Sequence, residues 1–360
     1  MANSLMARRQ IRTVPGSRSN RAIRAVIALT FLGGCGGTDS PSQADDPQRE
    51  AAAGEVQTAA ESTKTAPDSK RAYGYLRKIT RIGPRFSGSR GMLEQQRLLI
   101  KHFTDLGGEV KLQSFDAPHP QTGRAVRMNN LVVSWHPQRK ERVLLACHYD
   151  TRPYPDRDRL QPRGRFVGAN DGASGVALFM ELAHHLPKLD ATYGVDFVFF
   201  DGEELVFSRD DKYFLGSEYF ATQYRDKPPT THRYVYGVLV DMIGDKRLNI
   251  YMEKKSAETY APELTRSIWA MAKRQKVREF IPRVKHEVND DHVPLNEIAK
   301  IPTCDIIDFD YGPRSNPYWH TTKDIPANCS GASIAKVGRV LLKWLTQVPQ
   351  PKVGRRRVSN

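Results

Sequence analysis

The sequence predicts an α/β fold, a single domain in which a mostly parallel, mixed central sheet is flanked by helices on both faces. Two observations support this prediction. Short apolar runs rich in β-branched and aromatic residues alternate along the chain with segments of helical periodicity. The run from Val195 to Phe200 is apolar at nearly every position, which is typical of a strand buried on both faces.

The individual elements follow from their periodicity. Residues 71–107 alternate apolar and charged positions in a helical manner around the turn GPRFSGSRG, and residues 92–106 form an amphipathic helix. Short apolar runs predict strands over residues 129–134, 143–146, 195–200, 234–240 and 303–309. Helices are predicted over residues 172–186, after Gly216, around residues 263–273 and over residues 332–345.

The two ends of the chain are more basic than its middle. Residues 1–34 contain six arginines and no acidic residue, and the tail over residues 351–360 contains Lys352 and three consecutive arginines. These ends contribute much of the net charge of +15. The remainder shows no basic stripe interleaved with aromatic residues, so we expect no nucleic acid among the partners of this protein.

An export signal is predicted at the N-terminus. Arg21 and Arg24 precede an apolar run over residues 25–32, which is too short to cross a bilayer because a span takes about 20 residues. The run ends in LGGC, which resembles a bacterial lipobox with Cys35 as the lipidated residue. Residues 1–35 are therefore interpreted as a signal peptide of an envelope lipoprotein, exported and anchored to the membrane. A basic leader with a chance cysteine is the alternative.

Residues 36–70 are interpreted as a disordered linker. They are rich in Ala, Ser, Pro, Gln and Asp and contain almost no large apolar residues, so they cannot bury enough surface to fold. The folded domain is expected over residues 71–350, as a monomer. It contains three cysteines, an odd number that fits no complete disulfide framework, and Cys304 and Cys329 are either paired or free buried thiols.

Acidic and imidazole side chains follow three of the predicted strands, and two more, Asp171 and His320, lie where a helix opens and in the loop after the last strand. The set comprises His148, Asp150, Asp171, Glu203, Glu204, Asp241 and His320. In open α/β sheets the carboxyl ends of the strands form the ligand-binding edge, so we expect these side chains to meet. Histidine nitrogen and carboxylate oxygen are the usual zinc ligands where no thiolate is present. The pattern therefore predicts a zinc site, although taken singly Asp171 also fits a helix cap, Asp241 a turn residue and His320 a satisfied histidine.

The doublet Glu203-Glu204 stands where a buried strand stops. Adjacent residues that leave a strand end point in different directions. One carboxylate can therefore hold a metal ion while its neighbour transfers protons, which is the division that metal-assisted acyl chemistry requires.

Seven blocks of sequence stand in a fixed order between residues 72 and 345. They are IGPRFSGSRG, VLLACHYD, FVGANDGASG, FFDGEE, LVDMIGD, NDDHVPL and YWHT. In these blocks and their spacing the chain resembles the zinc-dependent exopeptidases of the co-catalytic aminopeptidase type. Within that superfamily it resembles the glutaminyl-peptide cyclotransferases. The resemblance implies a zinc exopeptidase-like fold.

The resemblance also implies roles for the residues at the strand ends. The implied ligands of one zinc ion are Asp171, Glu204 and His320. Glu203 corresponds to the general acid/base. In the peptidase branch a second zinc ion binds His148 and Asp241, with Asp171 bridging the two ions. In the cyclotransferase branch one zinc ion is expected, and Asp241 and Asp290 assist Glu203.

Three features favour the cyclotransferase branch. The eleven residues LVFSRDDKYFL follow Glu204, where simple aminopeptidases have a shorter link. Asp290 stands where the peptidases usually have a small hydroxyl residue. Trp319 matches a tryptophan of the cyclotransferase pocket, which Asn289 is also expected to line. One departure is Arg209, near which the cyclotransferases have an aromatic residue.

The expected reaction is conversion of an N-terminal glutamine of a peptide or protein into pyroglutamate, with release of ammonia. The alternative is a di-zinc aminopeptidase that hydrolyses N-terminal residues from peptides. An inactive binding domain of the same fold is a further alternative, although such a domain is expected to lack some of the metal ligands.

Overall fold

A six-stranded mixed sheet organises the part of the chain that the computed structural model describes, residues 66–314 and 316–350. Its strand order is β1-β2-β4-β3-β5-β8. The strands are β1 (Glu109–Pro118), β2 (Ala125–Trp135), β3 (Glu141–His148), β4 (Gly194–Phe200), β5 (Arg233–Asp241) and β8 (Thr303–Ile307). A separate parallel pair is formed by β6 (Ile250–Met252) and β7 (Phe280–Val284).

The strands of the sheet divide into a parallel core and an antiparallel edge. β4, β3, β5 and β8 run parallel, whereas β1 pairs antiparallel with β2 and β2 pairs antiparallel with β4. β4 and β8 are buried along their whole length, and β3 and β5 are buried at every position after the first, as expected for strands covered on both faces. Because the four core strands are parallel, their carboxyl ends meet at one edge of the sheet.

Helices cover both faces of this sheet. They are α1 (Ser69–Ile82), α2 (Arg90–Asp105), α3 (Ala173–Leu182), α4 (Leu215–Asp226), α5 (Pro262–Arg274), α6 (His292–Glu297) and α7 (Gly331–Leu345). Alternate residues of β3 face opposite layers. Val143 and Leu145 pack in a large apolar cluster with residues of α1, α2, α3, α5 and α7. Leu144 and Ala146 pack in a second cluster with residues of α4 and α6.

The helix α3 is buried along its whole length, so its start must approach the strand ends closely. Gly172 precedes it with φ at 89°, in the left-handed region that favours glycine. A Cβ atom at this position would lie 2.7 Å from the carbonyl oxygen of Asp150. Glycine therefore lets the chain turn into α3 directly against the loop that follows β3.

The predicted fold class is confirmed, and several elements differ in detail. β1, β6, β7 and α6 were not predicted, because β1 is half-exposed with mixed polarity and the other three are too short to show a period. The helix predicted over residues 172–186 ends at Leu182, and a 3₁₀ turn follows at Leu186–Lys188. The strand predicted over residues 303–309 ends at Ile307.

The three cysteines of the domain are free and buried, so Cys304 and Cys329 do not form a disulfide. No helix within the described residues is long and apolar enough to cross a membrane. Cys35, the predicted signal peptide, the basic tail and nearly all of the predicted linker lie outside the described residues.

Candidate active site

A cavity of about 570 Å³ lies at the carboxyl ends of the core strands. It brings together the residues that the sequence predicted to act on metal, protons and substrate. Those lining it are Asp171, Glu203, Glu204, Asp241, Asn289, Asp290, Trp319 and His320. His148 is buried directly beneath them, at the end of β3.

The turn after β4 presents the two glutamates to this cavity. Asp150 accepts hydrogen bonds from the backbone N–H of Glu203 at 3.2 Å and of Glu204 at 3.0 Å, one to each carboxylate oxygen. Gly202, with φ at 74°, reverses the chain between the strand and the doublet. Asp150 itself is absent from the cavity wall, so its role is to hold the turn.

One group of side chains has the arrangement of a metal site. Asp171, Glu204 and His320 are buried, and their candidate ligand atoms all lie within 4.8 Å of one another. His320 Nε2 lies 2.8 Å from Glu204 Oε1 and 3.4 Å from Asp171 Oδ2. Among the described residues, Asp171 Oδ2, Glu204 Oε2 and His320 Nε2 have no hydrogen-bond partner. Buried polar atoms are rarely left unpaired, so this donor set fits a zinc ion.

The surroundings hold these ligands in place. Asp324 accepts hydrogen bonds from the backbone N–H of Asn170 at 2.7 Å and of Asp171 at 3.1 Å. His320 has φ at 55°, an uncommon left-handed conformation that aims its ring at the other ligands. The Nδ1 atom of His320 faces Asp156 Oδ1 at 3.4 Å. A metal-binding histidine usually has such a partner on its second ring nitrogen.

A second group, His148, Asp171 and Asp241, also converges within 4.8 Å. His148 Nε2 lies 3.2 Å from Asp171 Oδ1 and 3.2 Å from Asp241 Oδ1. Burial lowers the pKa of His148, but the neighbouring carboxylates of Asp150, Asp171 and Asp241 outweigh burial and raise it well above the ordinary value. The same three residues therefore fit either a hydrogen-bonded histidine or a second metal ion.

Two further carboxylates of the cavity, Glu203 and Asp290, are adapted to hold protons. Glu203 lies close to the metal-ligand group, because its candidate ligand atom is within 4.8 Å of those of His148 and Glu204. Burial, followed by the charge of Glu204, raises the pKa of Glu203 well above its usual range. Burial, followed by the charges of Asp241 and Asp291, does the same for the pKa of Asp290. Carboxylates with raised pKa values are suited to general acid/base work near neutral pH.

Aromatic side chains form the wall of the cavity. The Trp319 ring packs on His320 with centroids 4.0 Å apart and on Phe309 with centroids 5.0 Å apart. The guanidinium of Arg157 lies 4.0 Å above the Trp319 ring. Arg209 lines the cavity near the position where an aromatic residue was expected, and Tyr213 and Phe214 of the same insertion line it as well.

The sequence reasoning missed Arg152 and Asp156, which contact the metal ligands. Both lie in TRPYPD, directly after the predicted block VLLACHYD. Their position after a strand end was a signal that could have found them. Nothing in the sequence showed that this loop turns back toward His320.

Comparisons with known proteins identify the family. The family model described as Peptidase family M28 matches residues 130–345. The chain belongs to this family. Among solved structures, the Fimbriiglobus ruber glutaminyl cyclase shares 40% identity and a TM-score of 0.73, over 78% of this chain and 95% of that chain. This match confirms the predicted resemblance to glutaminyl cyclases within family M28.

Two further relatives represent the two branches. A mouse protein, the glutaminyl-peptide cyclotransferase-like protein, is 28% identical in an alignment of 308 residues that covers 78% of this chain and 76% of the mouse chain. A structure described as a leucine aminopeptidase precursor from Bacteroides thetaiotaomicron is 27% identical with a TM-score of 0.72. It covers 79% of this chain and 98% of that chain. The M28 fold is therefore common to proteins named for either activity.

Proposed function

We propose that this protein is a zinc-dependent glutaminyl-peptide cyclotransferase. It converts the N-terminal glutamine of a peptide or protein into pyroglutamate and releases ammonia. The observation that carries the proposal is Asp290, a buried carboxylate on the wall of the cavity that also holds Glu203 and Asp241. The similarity to the Fimbriiglobus ruber glutaminyl cyclase supports the same reaction.

In this reaction the α-amine nitrogen of the glutamine attacks its own side-chain amide carbon. A carbon–nitrogen bond forms in the ring, the bond to the amide nitrogen breaks, and ammonia leaves. A zinc ion held by Asp171, Glu204 and His320 would polarise the side-chain carbonyl oxygen. No water is needed as a nucleophile, because the attacking amine belongs to the substrate.

Glu203 moves the proton in this scheme. Its carboxylate accepts a proton from the attacking amine and donates it to the departing amide nitrogen. Burial, followed by the charge of Glu204, raises its pKa well above the usual range, which favours proton uptake by this carboxylate. Asp241 and Asp290 lie on the same side of the cavity and hold the proton-carrying group in place. Trp319 supplies an apolar wall for the glutamine side chain.

We infer a single zinc ion per chain, because the cyclisation requires one polarised oxygen and His148 already lies within 4.0 Å of four carboxylates. The basic residues, the apolar run and the LGGC sequence at the N-terminus support an exported enzyme, anchored to the envelope membrane through Cys35. We propose that it acts as a monomer on peptide N-termini.

A di-zinc aminopeptidase is the second candidate, favoured by the convergence of His148, Asp171 and Asp241. In that enzyme Glu203 would take a proton from an attacking water. The two functions are separated by incubating the purified protein with a Gln-initiated and a Leu-initiated peptide and measuring the product masses. Loss of one ammonia from the Gln peptide, with the Leu peptide unchanged, supports cyclisation. Release of a free N-terminal amino acid from either peptide supports the aminopeptidase.

A further inference from the structure

A buried arginine lies against the metal-ligand group and has no part in the reaction described above. Arg152 follows β3, and its side chain is only 4% exposed. Its guanidinium donates hydrogen bonds from Nη1 to Glu204 Oε1 at 3.2 Å and from Nη2 to the Tyr213 hydroxyl at 3.2 Å. It also donates from Nε and Nη2 to the two oxygens of Asp156, at 2.9 and 3.2 Å. All three nitrogens of the guanidinium therefore donate hydrogen bonds beside the metal site.

These contacts close a ring of four side chains. Arg152 contacts Glu204 and Asp156, Asp156 Oδ1 lies 3.4 Å from His320 Nδ1, and His320 Nε2 lies 2.8 Å from Glu204 Oε1. Two of the three candidate zinc ligands, Glu204 and His320, are members of this ring. The other two members contact these ligands, Arg152 at Glu204 and Asp156 at His320.

Arg152 and Asp156 do not contact Glu204 Oε2 or His320 Nε2, the atoms that face the metal. Arg152 contacts Glu204 through Oε1, whereas Glu204 Oε2 has no partner among the described residues. Asp156 faces Nδ1 of His320, which fixes the proton on that nitrogen and leaves the Nε2 lone pair for an ion. A planar guanidinium presents five donors in a rigid fork, so it can orient two carboxylates at once, which a flexible ammonium cannot do as well.

We propose that Arg152 is a positioning residue for the metal site, which together with Asp156 locks Glu204 and His320 in the orientation that binds the ion. This inference rests on the proposed function for the identity of the metal group. Beyond that function, it assigns Arg152 and Asp156 a role in setting the affinity for the metal ion. Partners of metal ligands typically change metal affinity by about 10–100-fold when they are mutated.

The neighbouring Arg157 provides a matched control. It lies on the same loop and lines the same cavity, but its guanidinium stacks on Trp319 and is outside the ring. Its side chain is exposed, and it contacts His320 only through a backbone hydrogen bond, from its N–H to the His320 carbonyl oxygen at 3.1 Å. Removing the Arg157 side chain therefore removes one cation from the cavity without opening the ring.

The test measures zinc affinity by competition with a chromophoric chelator, in the purified wild type and in Arg152→Met, Arg152→Lys, Asp156→Asn and Arg157→Met. We expect affinity to fall about 10–100-fold in Arg152→Met and in Asp156→Asn. Arg152→Lys keeps the charge but not the fork, so its affinity should lie between those of the wild type and Arg152→Met. Arg157→Met should bind zinc as the wild type does.

A double variant gives a further readout that a general loss of structure would not produce. Because Arg152 and Asp156 belong to one ring, the combined change should weaken zinc binding by less than the product of the two single changes. If Arg152→Met does not fold, Arg152→Lys and Asp156→Asn decide. Affinity within twofold of the wild type in either of them overturns the proposal, as does an equal loss in Arg157→Met.

Zinc binding is measured without turnover, so the result is separate from the proposed function. Unchanged zinc affinity in the variants, in an enzyme that cyclises Gln peptides, overturns only the role of Arg152. Weakened zinc affinity in a protein that does not cyclise Gln peptides overturns only the proposed reaction.

Discussion

The two sides of the cavity differ in the charges that surround their carboxylates. On the metal side, burial raises the pKa of Glu204, but the charge and hydrogen bond of His320 and the charge of Arg152 outweigh burial and lower it to about 2. On the proton side, which consists of Glu203 and Asp290, burial and then the charge of Glu204 raise the pKa of Glu203 well above the usual range, although the nearby His148 opposes this shift. Asp171 belongs to both sides, and burial and the charge of Glu204 raise its pKa to about 6.

This difference explains how two adjacent glutamates acquire different chemistry. Glu203 and Glu204 follow the same strand, and Asp150 holds both backbone N–H groups. What separates them is the direction in which each side chain leaves the turn, toward cations or toward other acids. A carboxylate that stays ionised is a metal ligand, and one that gains and loses a proton is an acid/base catalyst.

Removal of the metal ion should have the largest effect on activity, because it acts on the metal side of the cavity. A bound zinc ion contributes several kcal/mol of charge stabilisation, so dialysis against a strong chelator should lower cyclisation of a Gln peptide by about 10³-fold or more. Adding zinc back should restore the rate. Cyclisation that persists in protein shown to be metal-free would contradict the account of the metal side.

The Asp290→Asn variant instead removes a proton-carrying carboxylate from the proton side. The amide cannot carry a proton in the same way, and the expected result is a fall in kcat of about 10²-fold with zinc content unchanged. Steady-state kinetics and metal analysis of the same sample check this. Asp226→Asn, at an exposed carboxylate at the end of α4, serves as the control and should keep the wild-type rate. Loss of zinc from Asp290→Asn would place this residue on the metal side.

The Trp319→Leu variant tests the aromatic wall of the cavity, which adjoins both the metal side and the proton side. The ring packs on His320 and Phe309, and such aromatic contacts are worth about 0.5–1.5 kcal/mol beyond the area they bury. We expect KM for a Gln peptide to rise about 3–10-fold, with a smaller change in kcat. A fall in kcat at constant KM would instead show that Trp319 acts on the transition state alone.

The smallest effect concerns Asp158, which braces the loop on the metal side. Hydrogen bonds from Thr322, first from its side chain and then from its backbone N–H, lower the pKa of Asp158 to about 2. A lowered folded-state pKa stabilises the protein fully above the unfolded pKa of about 4, and this contribution is lost as the pH falls toward about 2. Asp158 is half-buried, so solvent screens this interaction and the effect is modest.

The Asp158→Asn variant makes this measurable. Its thermal unfolding midpoint should lie slightly below that of the wild type at pH 5 and above, and the difference should vanish near pH 2. A difference that grows as the pH falls would contradict the assigned direction of the pKa shift.

The sequence predicted the parallel core from local patterns, and it predicted the site from the polar residues at strand ends together with the family resemblance. β4 is apolar except at Asp196 and ends directly before its polar residues, so its burial and its position at the ligand-binding edge could be inferred together. The edge strand β1 could not be found in this way. Its residues are half-exposed, and its pairing with β2 is decided by the partner strand and not by its own periodicity.

The same limit applies within the site. Glu204 follows the end of β4 and Asp171 opens α3, so the element boundaries fix where their backbones lie, and His320 lies in the loop after β8. Arg152 and Asp156 lie on an irregular loop, and their contacts with Glu204 and His320 depend on how that loop returns to the cavity. Such a path has no periodic signal, so only the structure could show it.

The division between Glu203 and Glu204 is tested most directly by one paired measurement, in which zinc content and cyclisation of a Gln peptide are determined for Glu203→Gln and Glu204→Gln. We predict that Glu203→Gln retains wild-type zinc and loses about 10²–10⁴-fold in rate, as expected for loss of a general acid/base. Glu204→Gln should lose zinc and activity together. Zinc loss in Glu203→Gln, or unchanged cyclisation in either variant, would contradict the assigned roles.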